Sequence, residues 1–115
     1  LSDRSKPELK NLTFDTYKNL SDRGIDVAII TDHPEITIEN LSLCAVMAVK
    51  HGMDEEKALK AITSTAAKNC WIDDRGGTLE GGKDADIAVF TDLPTRFESE
   101  CVMTFIDGKC VTDIK

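Results

Sequence analysis

Two neighbouring side chains in the stretch VAIITDHPEI, Asp32 and His33, are of the types that move protons. A carboxylate accepts a proton, and an imidazole gives or takes one near neutral pH. They follow four consecutive apolar residues, Val27 to Ile30, and precede Pro34. The same place also suits a plain turn, since Asp bonds nearby amides and a histidine before proline is an ordinary turn residue. Other reactive types are scattered. Cys44, Cys70, Cys101 and Cys110 never form a C-x-x-C pair, so buried free thiols are expected in place of a metal-thiolate cluster. A Cys101–Cys110 disulfide stays open, because both fall on one expected hairpin, although a reducing cytosol opposes it. His51 stands beside Gly52, where an imidazole suits a helix end and its last carbonyls. GGKDADIAVF has neither of the phosphate-loop spacings, so Gly81 and Gly82 read as a tight turn, with Asp84 and Asp86 bonding turn amides. The acids of TIEN, DEEK and ESE read as solvated faces and caps.

The element that must present Asp32 is a strand. Ile25 to Ile30 is rich in branched residues and continuous at its end, as in a strand covered on both faces within a parallel sheet. Ahead of it, Leu9, Leu12, Phe14, Tyr17 and Leu20 recur at mostly three- and four-residue steps, which predicts a helix from Glu8 to Leu20 with Pro7 near its first turn and Gly24 as its stop. Behind it, TIENLSLCAVMAVKHG predicts a helix apolar almost all round that stops at Gly52. Asp54 is placed to cap EEKALKAI, and Thr63 or Ser64 to cap TAAKNCWI, whose Trp71 reads as a packing anchor between the helices and the β-rich C-terminal region.

Beyond Gly76 the pattern turns to β. A strand is expected over Ile87 to Phe90, and two more around Asp107-Gly108, a dipeptide suited to a two-residue turn with positive φ at both positions. That turn sets Ile106 opposite Lys109 and Thr104 opposite Val111, with Val102, Thr104 and Ile106 facing away from Met103 and Phe105. Thr91 to Glu100 is the one linker-like stretch.

Composition narrows the class. The chain has 115 residues, 41% hydrophobic and 30% charged, which suits one globular domain able to bury roughly two thirds of its unfolded surface. A formal charge of −7 without a basic run makes nucleic acid and acidic membranes poor partners. No apolar run approaches the roughly 20 residues that span a bilayer, and the start LSDRSKPELK is too polar for a signal peptide, so a cytoplasmic location is expected. The chain opens on Leu1 and not on methionine, as expected of a piece of something longer.

One strand, three helices and a few further strands lack the sheet that both faces of a buried strand require. The expected fold class is therefore α/β, the tail of a larger protein. Active sites of α/β barrels lie at the carboxyl ends of the strands, which is where Asp32 stands.

VAIITDHP resembles the eighth strand of the amidohydrolase superfamily barrel. ALKAITSTAAKNCWIDDRGGTLEGGKDADIAVF resembles that family's run from the last helices into its β lobe, carrying a D-x-R-x-G-x-L-x-x-G-K-D-A-D pattern, and VMTFIDGKCV resembles its terminal hairpin. The resemblance covers the chain from Ser5 onward, and TDHP is most like the imidazolonepropionase-like members. It implies a C-terminal fragment of a (β/α)8 barrel, the last strand and following helices over residues 1–75, plus a small antiparallel β lobe over 76–115. It further implies hydrolysis of a C–N bond in a cyclic amide or related small molecule. Asp32 would be the metal ligand and proton shuttle, and a divalent metal, zinc by expectation, would be the cofactor of the intact enzyme; His33 is placed to bind the substrate, to orient Asp32 or to donate a hydrogen bond from behind the site.

The chain departs from that family in its ligands. The resemblance calls for an H-x-H pair and further ligands from earlier strands, whereas only His33 and His51 are present. Catalytic zinc normally takes three protein ligands, so the isolated chain is expected to bind no cofactor and to be inactive. The alternative is a non-catalytic α/β interaction module whose Leu41 to Val49 helix docks on a partner. In either case the uncovered faces predict self-association.

Overall fold

The helices pack through alanine. In the computed structural model, which describes residues 7, 11, 13 and 15–112, α2 (Leu41–Lys50) and α3 (Glu55–Ala61) meet across Ala45, Ala48, Ala58 and Ala61, all buried. Side chains this short bring the two helix surfaces close together. Ile29, Cys44 and Met53 complete the buried cluster, and Tyr17, Val27, Ile36, Leu41, Val49 and Ile62 pack around it. α1 (Thr16–Asp22) precedes this layer and α4 (Ser64–Asn69) comes after it. The expected first helix is seen only from Thr16; Leu9, Leu12 and Phe14 lie outside the described residues.

Three helices end in the same motif. After α1, Gly24 and Ile25 donate to the carbonyls of Ser21 and Leu20; after α2, Gly52 and Met53 donate to Val49 and Ala48. Both glycines have positive φ, as this C-cap requires. After α4 the bonds recur, from Trp71 to Lys68 and from Ile72 to Ala67, but the left-handed residue is Trp71 at φ 56°. This ends α4 earlier than TAAKNCWI suggests. It also overturns Trp71 as a packing anchor, since the reversal leaves its side chain 89% exposed.

Asp54 caps α3 as expected, accepting the Lys57 amide at 3.0 Å. Thr63 occupies the N-cap position of α4 without capping it, because its hydroxyl donates back to the Leu59 carbonyl instead.

Residues 25–30 are extended but make no strand ladder among the described residues. A strand is defined by its partner, and no neighbouring strand is present there to supply one. The two-sided burial read from the apolar run is correspondingly incomplete: Ile29 is 2% exposed, whereas Ile25 is 50% and Ile30 68%.

The C-terminal sheet runs β1 (Ile87–Phe90), β2 (Cys101–Ile106) and β3 (Lys109–Cys110), in that order and antiparallel. A bulge interrupts β1–β2 pairing, where Val89 faces Met103 and Phe90 faces Cys101. Asp107 and Gly108 both have positive φ, so the hairpin adopts the expected turn, and Ile106 pairs with Lys109. Thr104 accepts the Val111 amide at 2.8 Å, although regular pairing stops at Cys110. Cys110 pairs with Phe105, which leaves Cys101 four residues further along β2, roughly 13 Å by strand rise and beyond the ~7 Å that a disulfide bridges. The Cys101–Cys110 disulfide is thereby excluded, and all four cysteines are free.

Thr91 to Glu100 is an ordered loop and not a linker. Thr91 and Glu100 close its ends, and the Ser99 hydroxyl donates to the Asp92 carbonyl. The Arg96 guanidinium grips both oxygens of Asp92. Buried Thr95 then docks the loop on α3 by donating to the Glu55 carboxylate at 3.1 Å.

Candidate functional site

The extended segment delivers Asp32 to the surface in three steps. Ile29 is seated in the alanine-lined core and its N–H donates to the Ala61 carbonyl at 3.0 Å. That carbonyl belongs to the last turn of α3, where no further helical amide can reach it. Thr31 is the last buried residue, and from Asp32 to Glu35 every side chain is exposed. The turn is closed twice, by Ile36 N–H to the Thr31 carbonyl at 3.2 Å and by Glu35 N–H to the Asp32 carbonyl at 2.9 Å. Asp32 takes φ 53° and the His33–Pro34 peptide is cis. Aspartate tolerates the left-handed region better than most residues, because its short polar side chain adapts locally.

Asp32 and His33, the two candidates of the sequence, thus stand adjacent and exposed in one tied turn. Among the described residues no side-chain hydrogen bond or ion pair holds the Asp32 carboxylate, which leaves its oxygens open to an outside proton or ligand. His51 is not part of this turn. It follows the last turn of α2, itself roughly 15 Å long, where its N–H bonds the Met47 carbonyl and its Nδ1 lies 3.6 Å from Asp15. The tether from Ile29 to Ala61 is invisible in the sequence, for no residue type marks a helix carbonyl that will receive a strand amide.

Elsewhere the polar residues build structure. Lys83 donates to the Asp73 carbonyl at 2.7 Å and to the Thr78 hydroxyl, Arg75 pairs with Asp84 at 2.6 Å, and Asp86 accepts the Asp107 amide of the hairpin turn at 2.9 Å. The GKDAD stretch therefore ties the turn at Asp73 to Thr78 to the sheet; Asp86 bonds a turn amide, that of the hairpin, whereas Asp84 pairs with Arg75 in place of the turn amide expected from the sequence. At the start of the extended segment, the hydrogen bond from Lys68 holds the Asp26 carboxyl below the usual carboxylate range. An open depression of about 260 Å³ lies at that same end, between Gly24 to Val27 and the Lys57 and Lys60 side chains, and does not include Asp32. Burial pushes the Cys44 thiol up and, with Cys44 beside it, the Tyr17 hydroxyl too; both groups belong to the helical core and not to the Asp32 turn.

Among the described residues, no three of His, Cys, Asp and Glu come together as a metal would need. No helix there is long and apolar enough to cross a membrane.

Known proteins share this arrangement of sequence and fold. The chain is 34% identical over 100 residues to an imidazolonepropionase of Thermoplasma volcanium, an alignment covering 80% of this chain and 25% of that one. It is 28% identical over 96 residues to the amidohydrolase tasK of Hapsidospora irregularis, covering 84% of this chain and 10% of that one. The crystal structure of an amidohydrolase from Thermotoga maritima MSB8 superposes with a TM-score of 0.90 at 38% identity, over 96% of this chain and 29% of that one. The chain thus spans a quarter or less of the length of these two curated relatives. The model of the Amidohydrolase family matches residues 9–111, and with a match over nearly its whole length the chain belongs to the amidohydrolase family.

Proposed function

We propose that the chain is the C-terminal part of a metal-dependent amidohydrolase that hydrolyses a C–N bond in a cyclic amide or related small molecule. The observation that carries this reading is the exposed carboxylate of Asp32, held by no side chain among the described residues, at the end of a core-anchored extended segment in a chain of this family. Residues 1–75 would be the end of a (β/α)8 barrel and residues 76–115 its β lobe. Similarity to the imidazolonepropionase of Thermoplasma volcanium supports a small cyclic substrate.

The described residues do not make a metal site by themselves. In this reading Asp32 contributes one oxygen donor, and the other ligands, for zinc or another divalent ion, come from polypeptide beyond these 115 residues. Such an ion, when bound, makes a water acidic enough to lose a proton near neutral pH. The part played by this chain is at the Asp32 carboxylate, which takes a proton from the attacking water and passes it to the leaving nitrogen. His33, exposed beside it, would meet the substrate.

In the intact enzyme, Asp32→Asn should keep the fold and lose most turnover, because an amide cannot take the proton. Near-normal kcat would remove Asp32 from the mechanism. Purified 1–115 should hold no stoichiometric zinc after dialysis and show no hydrolase activity. Retained metal, by elemental analysis, would count against a shared site. The same chain should self-associate through Ile25, Ile30 and Ile38, the last 67% exposed. Sedimentation velocity showing a clean monomer at high concentration would refute that.

A further inference from the structure

We propose that Glu35 selects the substrate by charge: rings that are neutral or cationic on the side facing the Asp32 turn are accepted, and a carboxylate there is rejected. The inference rests on the catalytic role proposed for Asp32 and extends it to substrate class. Glu35 N–H donates to the Asp32 carbonyl at 2.9 Å, which makes the two residues the ends of a four-residue turn, with Cα atoms within about 7 Å of each other. This bond, like that from Ile36 N–H to the Thr31 carbonyl, runs inside residues 31–36 and does not depend on which strands flank residues 25–30. Both side chains are exposed. A substrate that reaches the Asp32 carboxylate therefore comes close to the Glu35 carboxylate as well.

The charge on this stretch has one sign. From Gly24 to Val49 the chain carries Asp26, Asp32, Glu35 and Glu39 and neither lysine nor arginine. Asp26, at the other end of the extended segment, is paired with Lys68. Among the described residues no ion pair or side-chain hydrogen bond holds Glu35 or Glu39. In the proposed reading Asp32 faces the metal ion, so the negative charge that this turn presents to the substrate is that of Glu35. Two unit charges about 7 Å apart, at an effective dielectric between that of a protein surface and bulk water, change an affinity on the order of 10-fold. A carboxylate on the ring meets that repulsion, and a carboxamide of the same shape does not.

The test uses the intact metal-loaded enzyme and a panel of five- and six-membered lactams and cyclic ureides, each ring carrying either a carboxylate or the matching carboxamide. For the parent, kcat/KM should favour the carboxamide member of a pair. Glu35→Gln should raise the carboxylate-to-carboxamide ratio of kcat/KM about 10-fold, chiefly through KM, and Glu35→Lys should raise it further. The exposed position leaves both variants folded, which circular dichroism checks. In 1 M salt, where the screening length is about 3 Å, most of the difference should vanish. A ratio that Glu35→Gln leaves as it was overturns the proposal, and so does a changed ratio that survives high salt, since that would be selection by shape. Asp32→Asn in the same assay separates the two readings. If it keeps turnover, or if the parent hydrolyses none of the panel, the proposed function fails and takes this inference with it. If Asp32→Asn loses turnover while Glu35→Gln leaves the ratio as it was, the charge selection alone fails.

Discussion

A methyl group added at Gly77 would have nowhere to go. With φ at 85°, its Cβ would stand 2.5 Å from the Ala67 Cβ, 3.1 Å from the Ser64 Cα and 3.2 Å from the Thr63 carbonyl, so backbone as well as side chain must yield. Gly77→Ala should lower stability by about 2 kcal/mol or more, the left-handed strain and the overpacking adding together. Gly108 is the contrast: it too has positive φ, but the nearest atom to an added Cβ is Ala85 Cβ at 3.7 Å. Gly108→Val should then cost about 1 kcal/mol or more from conformation alone, leaving substrate specificity in the intact enzyme unchanged. A urea titration of both variants decides the order, and an equal loss would mean that the contact at Gly77 relaxes freely. Trp71 runs the other way. Trp71→Gly should raise stability by about 1 kcal/mol, since the cap calls for glycine and an 89% exposed indole loses little packing. Some of this is legible in the residues. Asp54 and the Asp107-Gly108 turn act locally, through neighbours a few positions away, and the sequence shows those neighbours. Trp71 is not legible in the same way: its hydrophobicity argues for burial, while its backbone conformation is set by where α4 stops.

At the level of elements, the seam between α2 and α3 is the most exacting part of the fold. Ala45 and Ala58 are both fully buried in the same cluster, so Ala45→Leu would force the helices apart or push side chains off their rotamers. A loss of about 1–3 kcal/mol is expected, and a denaturant midpoint equal to the parent's would show that the seam has slack. The inner face of α2 also carries Cys44, whereas Cys70, Cys101 and Cys110 are exposed. Ellman's reagent should therefore find three fast thiols and one slow one in the native chain, and four fast thiols in denaturant. Four fast native thiols would mean that α2 is not seated against the core. Both helices can be read in the sequence, α2 from an apolar run that stops at Gly52 and α3 from the Asp54 that caps it. The extended segment can be read only halfway: the apolar run marks residues 25–30 for burial, but a ladder depends on a second strand that these residues do not contain. Thr91 to Glu100 has the polar composition of a linker, yet polar side chains are what close it, through Asp92, Arg96 and Ser99, and fasten it to Glu55.

For the whole molecule, the titrating groups predict an asymmetric response to pH. Asp22, Asp26 and Asp92 have lowered pKa values, Asp22 through the hydrogen bond from Lys18, Asp26 through that from Lys68, and Asp92 through the Leu93 amide and then Arg96. Their contributions are in place above the ordinary carboxylate value of about 3.9 and are lost as pH falls through their folded values. All three lie in exposed pairs, so that limb should be shallow. The alkaline limb differs in kind. Burial raises the Cys44 thiol and the Tyr17 hydroxyl, so above the ordinary thiol value of about 8.5 the unfolded chain gives up a proton that the folded chain keeps. Stability then falls as pH rises, first through Cys44 and later through Tyr17. Lys60 and Lys68, raised by their bonds to Glu56 and Asp26, add to the loss above about 10.4. Replacing the thiol isolates the first of these steps. Cys44→Ala should lower stability at neutral pH, because the site is buried, yet flatten the decline between about pH 8.5 and 10. Thermal melts of parent and variant across that range give the comparison directly. Parallel curves, offset by a constant amount, would show that the buried thiol on α2 does not govern how the molecule responds to base.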